Sequence, residues 1–256
     1  MSLQACADIV RQGDPDRFRA AMAAPVEARR ALFPLYAFNV EVARAPWVTE
    51  EAMIAEMRLQ WWRDVLEEIG RGGDVRRHEV ATPLAEVVRG AGLDPETLDA
   101  GIAARRWDIY RDPFEDEAHF LDYVAKTGGG LMWASARALG ASEDDEAVIR
   151  DVGIAMALAN WFLAIPALEA RGRRPLADGR ADAVARLAAE EGLARLDSAR
   201  SRSFGPAVPA LRAAWLARPI LSTVARNPKR VASGGFEPSE FRKSVTLAAK
   251  AIAGRW

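Results

Sequence analysis

The chain has 256 residues, half of them apolar and 28 % charged, a balance that supports a globular domain and excludes a fibrous or disordered chain. Its 35 Lys and Arg against 36 Asp and Glu leave a net charge of −1, so no global field draws it to nucleic acid, and any anionic partner must be met by a local patch. A single cysteine, Cys6, excludes an internal disulfide.

No secretory apolar segment opens the chain, and no uninterrupted apolar run reaches the roughly 20 residues that span a bilayer. The expected compartment is therefore the reducing cytoplasm, with a peripheral contact to the inner membrane left open. Ala and Arg are abundant while alternating Val, Ile and Thr are scarce, so the expected fold class is all-α, one domain over residues 1–256.

In chain order, Pro25 opens a helix over 26–44, in which Pro34 removes one interior donor. Thr49 caps a second helix that ends near Gly70, and Met53, Met57, Trp61 and Val65, four residues apart, read as its apolar stripe. Thr82-Pro83 and Asp94-Pro95 start two more, the latter reading on through Ile102 and Ile109 to Asp112-Pro113. Residues 117–139 are helical in pattern but carry Gly128, Gly129 and Gly130. Each glycine costs about 1 kcal/mol against alanine in a helix interior, so this backbone is expected to bend or to be approached closely. Ser142 resembles the cap of a long apolar helix over 147–170, interrupted by Pro166. Further helices are expected over 181–199, 208–225 and 238–253, and 228–236 is the most loop-like stretch.

The chemistry-bearing residues are sparse. His78 and His119 are the only histidines, too few for a histidine metal site or a Ser-His-Asp triad, and both read as surface or capping groups. Cys6 reads as a small buried side chain. The glycine triplet follows no strand and precedes no Gly-Lys-Ser/Thr, so it is not a phosphate loop. Asp112 and Asp116 share a DxxxD spacing that could hold Mg²⁺, but the intervening proline makes them helix-start charges, and residues 143–146 have the same explanation. No complete catalytic or metal-binding set is present.

An ordered series of short segments nevertheless points to a family. Asp16-Arg-Phe-Arg, Arg29-Arg30-Ala31-Leu32, Leu35-Tyr36-Ala37-Phe38 and Arg58-Leu-Gln-Trp-Trp-Arg63-Asp64 come first. Arg105 with Asp108, Pro113-Phe114, Tyr123 with Thr127-Gly128, Gly153-x-Ala155 to Leu158-x-Asn160, and Arg171-Gly-Arg173 follow. Together they resemble the squalene/phytoene synthase family over about 160 residues. The resemblance implies an isoprenoid-synthase-type helical fold around a central apolar cavity. It also implies prenyl diphosphate chemistry driven by Mg²⁺ on two facing aspartate-rich helices.

That frame puts the first aspartate-rich motif on Ala43, Arg44, Ala45, Pro46 and Trp47, and the second on Leu163, Ala164 and Leu168, with Ala157 in place of a glutamine. No carboxylate remains at either motif, whereas Mg²⁺ and diphosphate require hard oxygen ligands. Residues 37–43 and 57–63 are similar to the branch that contains assembly factors for respiratory complex I. The implied function is thus a non-catalytic binding protein, with a protein partner in a membrane respiratory complex and no cofactor. The alternatives are a farnesyl or geranylgeranyl diphosphate transferase that uses Mg²⁺ through the displaced acids Glu41 and Glu169, or an isoprenoid or lipid carrier. The expected cavity or ligand-binding residues are Tyr36, Asn39, Glu41, Arg58, Trp61, Tyr123 and Asn160. The expected partner-binding residues are Trp47, Arg230 and Phe236.

Overall fold

The computed structural model describes residues 3–256, and among them there is helix and connecting turn but no strand. The first helices are α1 (Leu3–Gly13), α2 (Pro15–Met22), α3 (Val26–Arg44) and α4 (Ala52–Gly70). They are followed by α5 (Ala81–Gly90), α6 (Pro95–Ala104), α7 (Glu117–Val124) and α8 (Gly130–Ala138). The long α9 (Glu146–Ala170) leads to α10 (Ala181–Arg186), α11 (Ala194–Ala199), α12 (Val208–Leu211) and α13 (Ala217–Arg226). A single turn, α14 (Arg230–Ser233), and α15 (Glu240–Ile252) complete the set.

α9 is the central strut. Together with its preceding turn it is long and apolar enough to cross a membrane by length and composition, more so than its interrupted sequence suggested. In this fold it packs instead against α8, α11 and α13, with Val152, Ala155, Leu158 and Phe162 in one hydrophobic core. α7 and α8 form one continuous rod joined by a π-type turn over Ala125–Gly129, and that turn lies directly on α9. A Cβ on Gly153 would stand 2.6 Å from the Gly128 carbonyl oxygen, and one on Gly128 would stand 2.8 Å from the Gly153 oxygen. The glycine triplet therefore serves a backbone-to-backbone crossing, and the widened turn makes room for it.

On α4 the core stripe is Ala55, Leu59, Trp62, Leu66 and Ile69, whereas Met53 is 75 % and Met57 66 % exposed. Four residues advance a helix by about 40° more than one turn, so a strict spacing of four drifts off the buried face; the alternating spacing of four and three stays on it. The α4 cap also lies two residues later than expected. Thr49 accepts from the Glu51 amide at 3.1 Å, and the helix begins at Ala52. The helix begun at Pro95 ends at Ala104 and tightens into a 3₁₀ turn over Arg105–Asp108. Asp116 caps α7 by accepting from the His119 amide at 2.8 Å, and the His78 ring nitrogen accepts from the Val80 amide at 3.2 Å at the start of α5.

Candidate functional site

The C-terminal half of α3, the α1–α2 junction, the 3₁₀ turn after α6, the α7–α8 rod and α9 enclose a cavity of about 560 Å³. The two aspartate-rich positions implied by the resemblance meet there. α3 presents Ala43 and Arg44, the following turn presents Trp47, and α9 presents Ala157, Ala164 and Leu168. None of these side chains offers the oxygen ligands that Mg²⁺ takes, so they do not fit a diphosphate-bound metal cluster. Among the described residues no group of three His, Cys, Asp or Glu is placed to hold a metal ion.

Two acids do line the cavity, and both are occupied. Asp14 caps α2, accepting from the Arg17 amide at 3.0 Å, and pairs with the Arg17 guanidinium at 3.2 Å. Asp108 is buried; Arg105 donates to it at 3.1 Å, and the Tyr123 hydroxyl lies 3.1 and 3.0 Å from its two oxygens. Arg105 also donates to the Tyr123 oxygen at 2.7 Å. Burial raises the Asp108 carboxyl above its ordinary range despite the opposing charge of Arg105, and burial likewise raises the Tyr123 phenol. With Arg17, Arg44, Arg105 and Arg171 against Asp14 and Asp108, the described lining carries two more cations than anions. The cavity thus suits an anion better than a metal cation.

The local sequence explains how the closing cations are aimed. Gly172 ends α9 at φ +74°, and Arg173 then turns back with its amide on the Leu168 carbonyl at 3.0 Å. From there its guanidinium donates to the Trp107 carbonyl at 2.7 Å and stands 4.5 Å over the Trp107 ring. Trp47 carries Arg171 at 5.0 Å and Arg173 at 5.8 Å from its ring centre. Behind them Trp107, Phe114, Phe120, Tyr123 and Trp161 form one aromatic cluster, in which Trp107 stacks on Phe114 at 4.1 Å.

Of the residues singled out from sequence, Asn39, Tyr123, Asn160 and Trp47 share this cavity. Tyr36 is buried just behind it, beneath the Arg17 guanidinium at 5.2 Å, and burial pushes its phenol up to about 12. Glu41, Arg58 and Trp61 do not line the cavity. Glu41 pairs with Arg44 at 3.8 Å, Arg58 is exposed on α4, and Trp61 packs on Trp62 and His78. Glu169, the other acid of the enzyme alternative, is exposed and also lies outside the lining. Arg230 is exposed, whereas Phe236 is 6 % exposed and belongs to the core, so Phe236 is no surface anchor. The loop-like composition of that stretch missed both the helical turn α14 inside it and the burial of its one large ring. Arg17 and Arg171 were missed, although the sequence offered a signal at Arg171-Gly-Arg173, where glycine ends a helix between two cations.

Residues 10–247 match the squalene/phytoene synthase family. The fold superposes on a dehydrosqualene synthase solved with ligand, with a TM-score of 0.70 at 14 % identity over 98 % of this chain and 95 % of that one. It superposes on the squalene synthase HpnC of Alicyclobacillus acidocaldarius with a TM-score of 0.62 at 17 % identity, covering 98 % and 94 % of the two chains. In sequence, the chain is 27 % identical over 136 residues to complex I assembly factor 6 of Bos taurus, covering 53 % of this chain and 40 % of that protein. It is 39 % identical over 135 residues to the assembly factor 6 homolog of Drosophila melanogaster, covering 50 % and 39 %. The matches thus span about two fifths of the length of these relatives. With a match across nearly its whole length and the all-α isoprenoid synthase fold, the chain belongs to the squalene/phytoene synthase family.

Proposed function

We propose that this protein acts by binding rather than by prenyl transfer, as an assembly factor for a membrane respiratory complex of the complex I type. One observation carries the reading: the positions that would hold Mg²⁺ and diphosphate meet across the cavity as Ala43, Arg44, Trp47, Ala164 and Leu168. Ionising a diphosphate needs a concentrated positive charge held by carboxylates, and among the described residues the acids that line the cavity, Asp14 and Asp108, are paired with Arg17 and Arg105. The relatives named as complex I assembly factors support the choice of partner. On this reading the protein uses no divalent cation and works in the cytoplasm, peripheral to the inner membrane. Deleting the gene and measuring assembled complex I beside isoprenoid products tests it. Loss of the complex with normal prenyl products is expected, and the reverse outcome contradicts the reading.

The shape of the cavity favours a second reading, an isoprenoid or lipid carrier. Leu131, Met156, Trp161 and Leu168 supply apolar wall, while the Asn39 and Asn160 amides and Arg171 sit at the same cavity for a polar head. Such a carrier would yield a bound amphiphile on extraction of the purified protein with organic solvent.

A further inference from the structure

The last helix is docked inside out. On α15 the side chain turned into the protein is Lys243, buried and paired with Asp16 at 2.8 Å and Glu237 at 2.6 Å, while only Leu247 joins the core from this helix. The solvent side is apolar: Phe241 is 78 %, Val245 52 % and Ile252 88 % exposed, with Ala248 also exposed between them. At about 100° per residue these four positions fall within roughly 60° of arc, so they form a single continuous stripe. Soluble proteins place isolated apolar side chains on their surface freely, but an aligned stripe on a helix whose charged face is turned inward calls for an occupant.

The surrounding charge selects the occupant. Arg242 on the flank of the stripe and Arg255 just beyond the end of the helix are exposed. Beneath its far end Lys250 faces Arg200, Arg212, Arg218 and Arg255, and its ammonium is pulled down by burial first and by these four cations next. Glu240 pairs with Arg19 at 2.6 Å and Asp197 offsets Arg218 at 2.6 Å, so the excess positive charge at this end comes from Arg200, Arg212, Lys250 and Arg255. A second copy of the chain is disfavoured, because a two-fold contact through the stripe would set these cations against their own copies. Another exposed apolar patch, Met53 and Met57 on α4, stands among Glu50, Glu51 and Glu56, and even with Glu56 paired to Arg106 at 3.0 Å and Arg58 exposed beside it the surround stays negative, the wrong sign for an anionic surface.

We propose that α15 is an interfacial helix that docks the protein onto an anionic lipid bilayer, with Phe241, Val245 and Ile252 entering the headgroup boundary and Arg242 and Arg255 meeting lipid phosphates. An apolar stripe flanked by cations is what such a surface recognises, and the Lys243 latch holds the helix in the orientation that presents it. This assignment uses no feature of the cavity and stands independently of the partner proposed above.

Flotation of the full chain with phosphatidylcholine vesicles, with and without phosphatidylglycerol, tests it. Binding is expected only with phosphatidylglycerol and should weaken as salt screens the contact. Phe241→Ser with Ile252→Ser should lower it about tenfold or more, because two of the inserted side chains are lost. Arg242→Glu with Arg255→Glu should also lower it and flatten its salt dependence, while Met53→Ser with Met57→Ser should leave it unchanged. All six positions are exposed, so unfolding midpoints should stay at the wild-type value and separate lost docking from lost folding. Failure of the folded wild type to float, equal flotation of the α15 variants, or a wild-type dimer dissolved by Phe241→Ser would each overturn the assignment.

Discussion

The cavity has two ends that treat charge in opposite ways. At one, Asp108 is fully enclosed and answered by Arg105 and Tyr123, with Arg173 donating to its backbone carbonyl at 3.3 Å. At the other, where α3 and α9 face each other, Ala43, Trp47, Ala164 and Leu168 offer no carboxylate and Arg44 offers a cation. An acid persists where protein groups neutralise it and is missing where only a metal ion could. A buried carboxylate with two donors is a structural element, whereas an array of unpaired ones is stable only when a cation is bound. The contrast is therefore between an acid held by protein donors and facing helix positions that carry none.

The largest effect expected from breaking that contrast is at Asp108. Asp108→Ala strands the Arg105 guanidinium and the Tyr123 hydroxyl inside the protein and should cost about 3–5 kcal/mol in denaturant unfolding. The crossing of α9 over the π-type turn comes next. A Gly153→Ala methyl meets the Gly128 carbonyl oxygen and the Met132 Cβ, both at 2.6 Å, so one turn must shift, at about 1–3 kcal/mol.

The emptied end should tolerate acid far better. Ala164→Asp faces an open cavity beside Arg171 and should change stability by less than about 1 kcal/mol, which the same unfolding measurement reads. The pH dependence has a definite sign. Because burial holds the folded Asp108 carboxyl above its unfolded value, the folded state keeps a proton that the unfolded state has released between those two values. The stability this group contributes is complete below the unfolded value and is lost as pH rises through the folded one. Asp108→Asn should flatten that slope in a series of unfolding midpoints across the acidic range. The smallest effect concerns Cys6, which is buried and pushed up to about 12 by burial, so a thiol reagent should label it only in denaturant.

The sequence exposed the helices more readily than the site. Residues 26–44 have the same bounds in both readings because Pro25 and Arg44 mark ends that local chemistry determines. The glycine triplet signalled a close crossing, since nothing local compensates three glycines in a helix, although its partner Gly153 was invisible without the fold. Met53 and Met57 were misplaced because apolar spacing shows that a stripe exists but not which face the protein covers. At the cavity, the family frame drew attention to Asn39, Tyr123 and Asn160, positions on three helical segments that only the tertiary structure unites. Arg17 and Arg171 lie in two of the segments that carry the family resemblance, yet escaped as cavity residues because their role comes from convergence across the chain.

Calorimetric titration with a non-hydrolysable prenyl diphosphate analogue, in the presence of Mg²⁺ and then of a chelator, tests the central claim most directly. The emptied metal positions predict that Mg²⁺ adds nothing, so any affinity for the analogue is the same in both titrations. Micromolar binding that requires Mg²⁺ and is abolished by Asp14→Ala would contradict it, because the carboxylates this cavity retains would then be holding a metal after all.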